Sequence, residues 1–211
     1  MDTTLPPTSA EILARQKELV DALKPLLLKE SLLWEPEDTI PYECDGLAAY
    51  RQMPLAVALP ENQEQAVAVI KVCQRLQVPI VPRGSGTGLS GGAMPIAQGL
   101  VLSLAKLKKI IHIDPIARTA VVQPGVRNLA ISEAVAQHGL YYAPDPSSQI
   151  ACSIGGNVSE NSGGVHCLKY GLTLHNILKV KAILMNGEVV EFGSLAPDAP
   201  GLDLLSILVG S

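Results

Sequence analysis

Charge is scarce in this chain. Charged side chains make up 17% of the 211 residues, and the formal balance is −4. Such a surface offers no basic track for a nucleic-acid backbone. Aromatic residues, at 3%, are too few for base-stacking platforms. Cysteine is rare as well: Cys44, Cys73, Cys152 and Cys167 form no C-x-x-C pair. Metal spacing and a disulfide framework are therefore not expected, and a reducing, cytosolic setting is. No apolar run reaches membrane-spanning length, and the polar, acidic opening residues are not the basic-then-apolar pattern of a secretion signal. In that setting the Asn157-Val158-Ser159 sequon is a chance match. What the chain does have is glycine (18), proline (16) and a hydrophobic fraction of 47%, which suits a turn-rich protein of mixed helices and strands with a real core.

Thr8-Ser9-Ala10-Glu11 has capping-box spacing, and Ile12, Leu13, Leu19, Val20 and Leu23 follow at helical intervals. A helix over about Ala10–Lys24 is expected, ended by Pro25. Leu26 to Pro41 reads as irregular and as packed on the main body, because its apolar residues would otherwise be exposed. Leu55–Leu59 is a short strand. Asn62 and Gln65 cap a helix whose Ala66, Val69, Ile70, Cys73 and Leu76 share one face. Val78–Val81 is the next strand. Further on, Leu100–Leu104 reads as a buried strand, and Ile110–Asp114 and Thr119–Gln123 as a hairpin. A helix is expected over Asn128–Gln137, and a short one within Ser153–Gly164. Ile177–Met185 and Glu188–Phe192 flank Asn186-Gly187, a strong hairpin signal. Lys106, Lys108 and Lys109 read as a solvated face. The division expected is an N-terminal helical arm (1–54), a first α+β subdomain (about 55–114) and a second (about 115–211).

The densest glycine stretch is Val81-Pro82-Arg83-Gly84-Ser85-Gly86-Thr87-Gly88-Leu89-Ser90-Gly91-Gly92, five of whose twelve residues are glycine. Backbone amides can close around an oxyanion where no Cβ intervenes, so the loop reads as a diphosphate cradle. It lacks the lysine of a Walker A loop. Gly86-Thr87-Gly88-Leu89-Ser90-Gly91 fits G-x-G-x-x-G, and Asp114 lies about 20 residues on, but Gly92, Pro95 and Gly99 forbid the helix that a dinucleotide fold needs there. This loop must bind through its own amides.

A second cluster, Ser153-Ile154-Gly155-Gly156-Asn157 with Asn161-Ser162-Gly163-Gly164, repeats that chemistry. Pro144-Asp145-Pro146-Ser147-Ser148 precedes it and Tyr170-Gly171-Leu172-Thr173 follows. The competing reading is that these glycines only make tight turns. They cluster between apolar segments instead of at hairpin tips, which favours two linings of one long ligand with a diphosphate middle.

These motifs, together with Gln123-Pro124-Gly125-Val126, closely resemble the FAD-linked oxidases of the vanillyl-alcohol oxidase type, which carry a PCMH-type FAD-binding domain. Within that family the chain is most similar to the flavoproteins of bacterial glycolate oxidase and their D-lactate and D-2-hydroxyacid dehydrogenase relatives. The resemblance covers about Leu55 to Ser211 and implies an α+β fold of two subdomains with FAD between them. It places Pro82, Arg83, Gly84, Ser85, Gly86, Thr87, Gly88, Leu89, Ser90 and Gly91 around the pyrophosphate. Pro146, Ser147, Ser148, Ser153, Gly155, Gly156 and Asn157 would line the pyrophosphate and ribityl region. Asn161, Gly163 and Gly164, with Gly171 and Thr173, would lie toward the flavin, and Val126 near the adenosine half.

Many covalent members carry a histidine where this chain has Thr87, so non-covalent FAD is implied. The family continues past Gly210-Ser211 with the end of the FAD domain and a cap domain that handles the substrate, so the chain is expected to be truncated. The reaction implied is hydride transfer from a 2-hydroxy acid to the flavin, with the fragment itself inactive. Another oxidoreductase on the same fold, such as an enolpyruvyl-sugar reductase, or a non-catalytic flavin-binding or assembly module, are the alternatives. Expected partners are a small 2-hydroxy acid and other subunits of a glycolate oxidase complex. The expected location is the cytoplasm, or the periphery of the inner membrane through those subunits. His112, His138, His166 and His175 are scattered and offer no persuasive catalytic base, and no metal ligand set is seen.

Overall fold

The computed structural model describes residues 8–196 and 201–211. The first helix, α1 (Ser9–Leu23), starts where its cap dictates. Thr8 Oγ1 accepts from the Glu11 N–H at 3.3 Å, and the Glu11 carboxylate accepts from the Thr8 N–H at 2.7 Å. Leu19, Val20 and Leu23 are its buried stripe. The segment expected to be irregular instead carries a two-residue strand, β1 (Leu32–Leu33), and a one-turn helix, α2 (Pro36–Thr39) with proline in its first turn. Two residues are too few to show a period-2 pattern, so only pairing reveals β1: Leu32 lies opposite Ala58 and Leu33 opposite Val57.

Three parallel strands follow, β2 (Ala56–Ala58), β3 (Ile80–Arg83) and β4 (Leu100–Ser103), with sheet order β1-β2-β4-β3. Helix α3 (Gln63–Arg75) connects β2 to β3. Asn62 Oδ1 accepts from the Gln65 N–H at 2.8 Å, and the Gln65 side chain accepts from the Glu61 N–H at 2.7 Å. All four residues of the central strand β4 are buried, as expected for a strand covered on both faces. Strand β3 starts two residues later than its apolar run suggests and takes in Pro82 and Arg83. Proline is tolerated there because β3 is a sheet edge and a missing donor leaves no ladder bond unmade. Leu19, Leu23, Leu32, Leu55, Val69, Cys73 and Leu100, from α1 through β4, form one continuous core. Residues of the N-terminal segment and of the sheet are thus packed together, and an apolar arm is kept out of water.

After β4 the pattern changes to hairpins. Strands β5 (Ile110–Asp114) and β6 (Thr119–Val122) pair antiparallel, and the Asp114 carboxylate caps their turn by accepting from the Ile116 and Ala117 N–H groups. Helix α4 (Asn128–Val135) runs into a short 3-10 turn and stops at Gly139, φ 67°. Helix α5 (Ile154–Glu160) and the one-turn α6 (Cys167–Tyr170) follow. Strands β7 (Lys179–Ile183) and β8 (Val189–Gly193) form the hairpin foreseen around Asn186-Gly187. Helix α7 (Leu204–Leu208) comes last. A smaller core of Val126, Ile131 and Ile154 joins the β5–β6 hairpin to α4 and α5.

Candidate functional site

The glycine loop leaves the end of β3 and runs to β4 without a helix, as Pro95 and Gly99 require. Between Gly84 and Ala93 no backbone N–H donates to a backbone carbonyl among the described residues. Unpaired amides in a half-exposed, glycine-rich turn are what an oxyanion cradle presents.

The second cluster packs directly against this loop. A Cβ built on Gly84 would stand 2.3 Å from Ser153 Oγ and 3.7 Å from the Gly156 nitrogen. Farther along, the Ser90 hydroxyl donates to the Glu160 carboxylate at 3.0 and 3.2 Å. Two stretches about seventy residues apart therefore make adjoining walls, with α5 as the second. Ser153 is 3% exposed, and its hydroxyl finds no hydrogen-bond partner. A buried hydroxyl without a partner is disfavoured, and this one stands beside the unpaired amides.

Arg83 does not present its charge to the open side of the loop. Its Nη1 donates to the Cys44 carbonyl at 2.7 Å and to the Ala93 carbonyl at 3.4 Å, and the guanidinium lies 5.5 Å from the Tyr42 ring centre. Burial lowers its pKa from the usual arginine value, and the neighbouring Tyr42, Asp45 and Cys44 oppose that shift. The guanidinium also fills the space over Gly86, where φ is +68° and a Cβ would meet Nη2 at 2.2 Å. Arg83 thus ties the root of the loop to its end and to the 42–46 segment. Gly46 completes that contact: a Cβ there would meet the Gly88 and Thr87 carbonyls at 2.7 and 2.9 Å. Sequence reasoning missed this outer wall, since Tyr42 to Gly46 carry no motif. Pro82, Ser85, Leu89 and Ser90 are exposed, and Thr87, Gly88 and Gly91 are half-buried.

The second lining is held by amide side chains. Asn128 Nδ2 donates to the Pro144 carbonyl at 3.0 Å and to Asn157 Oδ1 at 2.9 Å, and Asn157 Nδ2 donates to Cys152 Sγ at 3.3 Å. Asn157 is 3% exposed and belongs to the scaffold. Pro146, Ser147 and Ser148 form the turn before α5, where the Ser148 carbonyl accepts from the Ala151 and Cys152 N–H groups. Gly155 donates its N–H to the Pro124 carbonyl at 2.8 Å and so seats α5 on the Pro124-Gly125-Val126 turn. The Val126 side chain is buried between Ile131 and Ile154 and faces no open surface.

Asn161 ends α5 with φ +47°, and its Oδ1 accepts from the Leu174 N–H at 3.0 Å. The Thr173 hydroxyl, fully buried, donates to the Ser162 carbonyl at 2.7 Å. Gly164 presses on Asp145, whose carbonyl oxygen would be 2.1 Å from any Cβ there. Gly163 lies under Leu172, and Gly171 faces the His175 ring. Asp145 Oδ2 pairs with His166 Nδ1 at 2.6 Å, and that hydrogen bond holds the Asp145 carboxyl below its ordinary value. His175 Nδ1 accepts from the Leu172 N–H. Among the described residues no group of three or more histidine, cysteine, aspartate or glutamate side chains could hold a metal ion, and no helix is long and apolar enough to cross a membrane.

Residues 54–193 match a family model described as FAD binding domain. The chain belongs to this family. It is 62% identical over 180 residues to the glycolate oxidase subunit GlcD of Escherichia coli K12, an alignment that takes in 85% of this chain and 36% of that protein. To the Bacillus subtilis subunit of the same name it is 44% identical over 171 residues, 81% of this chain and 36% of that one. The chain thus spans about a third of the length of these relatives. A D-2-hydroxyglutarate dehydrogenase of Xanthomonas citri is 36% identical over 178 residues, covering 84% of this chain and 38% of its own length. Among solved structures, p-cresol methylhydroxylase with substrate bound superposes with a TM-score of 0.75 at 22% identity, over 93% of this chain and 41% of that one. Alkyldihydroxyacetonephosphate synthase gives 0.80 at 19%, over 92% and 37%. The fold is therefore the PCMH-type α+β fold, and the cofactor of the family is FAD. The residues present fit it: free amides, a wall that Gly84 lets approach, and an unpartnered buried hydroxyl face one another.

Proposed function

We propose that this chain is the FAD-holding part of an oxidoreductase that acts on 2-hydroxy acids of the glycolate or D-lactate type. The contact between the Gly84–Gly91 loop and the Ser153–Glu160 wall carries the reading, since it gathers unpaired donors in one place. When bound, FAD supplies the hydride acceptor; the protein supplies the bed. In this reading the N–H groups of Gly84 to Gly91 take the diphosphate oxygens, helped by the Ser153 hydroxyl and the Gly156 amide. Arg83 acts from behind, keeping the loop shut over Cys44 and Ala93. Asn157, Asn161 and Thr173 hold the second lining in place; Gly163 is seated under Leu172 and Gly164 against Asp145, and in this reading that backbone lies toward the flavin. With Thr87 where covalent members place histidine, the cofactor is held non-covalently. In this reading residues 1–54 are the N-terminal arm, whose described part (8–54) is braced on the first subdomain (55–114), with residues 115–211 as the second.

The relatives named as glycolate oxidase subunits support partner subunits for the whole protein, and the location we propose for it is the cytoplasm or the membrane periphery. The test is anaerobic. The FAD-loaded full-length protein is mixed separately with glycolate, D-lactate and D-2-hydroxyglutarate, and bleaching of the flavin band is followed. Bleaching by at least one of them is expected; a flavin that none of them reduces would refute the substrate class.

A further inference from the structure

Glu160 has a place that FAD binding by the glycine loop does not by itself explain. It is the last residue of α5, and its carboxylate receives the Ser90 hydroxyl at 3.0 Å through Oε2 and 3.2 Å through Oε1. It also lies over the glycine face of the loop. A Cβ on Gly92 would be 3.1 Å from Oε1, and one on Gly88 would be 3.8 Å away. Among the described residues no lysine or arginine pairs with it within salt-bridge distance. A carboxylate beside a loop that receives a diphosphate opposes the ligand's charge, so its presence calls for a compensating role.

The loop's construction supplies that role. Its amides make no backbone ladder, and two side-chain ties hold it. One is at its root, where Arg83 binds the Cys44 and Ala93 carbonyls. The other is toward its far end, between Ser90 and Glu160. Glu160 is itself well anchored. The following residue, Asn161, is locked in the left-handed region and accepts the Leu174 N–H, and Gly210 donates its N–H to the Val158 carbonyl at 2.9 Å. The loop is the partner with few bonds of its own; α5 is the anchored one.

We propose that Glu160 is a positioning residue: through Ser90 it clasps the glycine loop to α5 and so presets the cradle before FAD arrives. The inference rests on the reading of that loop as the FAD cradle. Holding a loop in its bound conformation lowers the ordering cost of binding. Loss of one charge-assisted bond at an exposed site should weaken FAD about three- to tenfold, chiefly through a slower association rate.

The test compares S90A, E160A, S90A/E160A and E160Q, each made in the full-length protein, with the unaltered full-length protein. FAD affinity and association rate are followed by quenching of flavin fluorescence. Cofactor-free cleavage after Leu89, which is 73% exposed, is followed with a chymotrypsin-like protease. S90A and E160A should each weaken FAD and speed that cleavage severalfold, with the double variant no worse than either. E160Q keeps an acceptor for Ser90 and should bind FAD at least as tightly as the parent, with its slow cleavage. Unchanged cleavage in E160A, additive losses in the double variant, or E160Q behaving as E160A would overturn the clasp. Tighter FAD binding by E160A would show that the carboxylate only opposes the diphosphate, and would overturn it too. If the unaltered full-length protein bound no FAD, the cradle reading itself would fall, while the cleavage rates would still report on the tie.

Discussion

Replacing Ser153 with alanine should make the cofactor-free protein more stable and a poorer binder of FAD. The hydroxyl is buried and has no hydrogen-bond partner, and an unsatisfied buried group of this kind costs about 1–3 kcal/mol. Removing it while leaving Cβ in place relieves that cost, so the cofactor-free variant should gain about 1–2 kcal/mol in urea unfolding. For a chain of this size that is a melting point higher by roughly 2–8 °C. If the hydroxyl is a partner for the diphosphate, the variant also loses one hydrogen bond to a charged group, about 1.5–3 kcal/mol, or roughly 10- to 150-fold in Kd. The two effects have opposite signs, which a general packing defect could not produce.

Gly84 provides the cross-check. Gly84→Ala sets a Cβ 2.3 Å from Ser153 Oγ, an overpacking worth about 1–3 kcal/mol. In the double variant Gly84→Ala/Ser153→Ala the nearest atoms left, the Gly156 nitrogen and the Cβ of residue 153, are 3.7 Å away, ordinary contact, so much of that loss should return. A Ser153→Ala protein with unchanged stability and unchanged FAD affinity would refute the reasoning.

Other consequences can be checked with standard assays. Gly86→Val should abolish FAD retention, because φ +68° disfavours a branched side chain and the Arg83 guanidinium fills the space; His166→Ala should leave retention intact, and equal loss in both would place the cradle elsewhere. Gln77 ends α3 at φ +52° with the Val78 N–H bonded back to the Cys73 carbonyl at 2.8 Å. Gln77→Gly should therefore stabilise the protein by about 0.5–1 kcal/mol in urea unfolding; a destabilised variant would contradict this. Burial pushes the Cys73 thiol up to about 12 from an ordinary 9.0. The unfolded chain then releases a proton above pH 9 that the folded chain keeps, so this thiol's contribution to stability falls as pH rises toward 12, by up to about 1.4 kcal/mol per unit. Cys73→Ala should flatten that slope, and an unaltered slope would refute the assignment.

How far the sequence led depends on how local each feature is. Helices α1 and α3 were legible because each start is written in three or four residues, Thr8 with Glu11 and Asn62 with Gln65. The β7–β8 hairpin was legible from Asn186-Gly187, and the absence of a helix after the glycine loop from Pro95 and Gly99. Strand β1 was not, since Leu32 and Leu33 become a strand only through pairing with β2. Nor was the inward turn of Arg83. A basic residue at the head of a glycine loop invites an anion contact, and only the approach of Cys44 and Tyr42 across forty residues shows where the guanidinium goes. Glu160 stands beside the glycine motif, but nothing local marks its reach to Ser90. Val126, expected near the adenosine half, has its side chain claimed by Ile131 and Ile154, a choice made by packing between distant segments.

The central claim is that the glycine loop and α5 together hold FAD without a covalent bond. The most direct measurement is the absorption spectrum of the purified protein after FAD is added and the excess removed, repeated on the supernatant after acid precipitation. The account predicts flavin bands near one FAD per chain, with all of the flavin in the acid supernatant. Protein that stays colourless in full-length form, or flavin that precipitates with the chain, would contradict it.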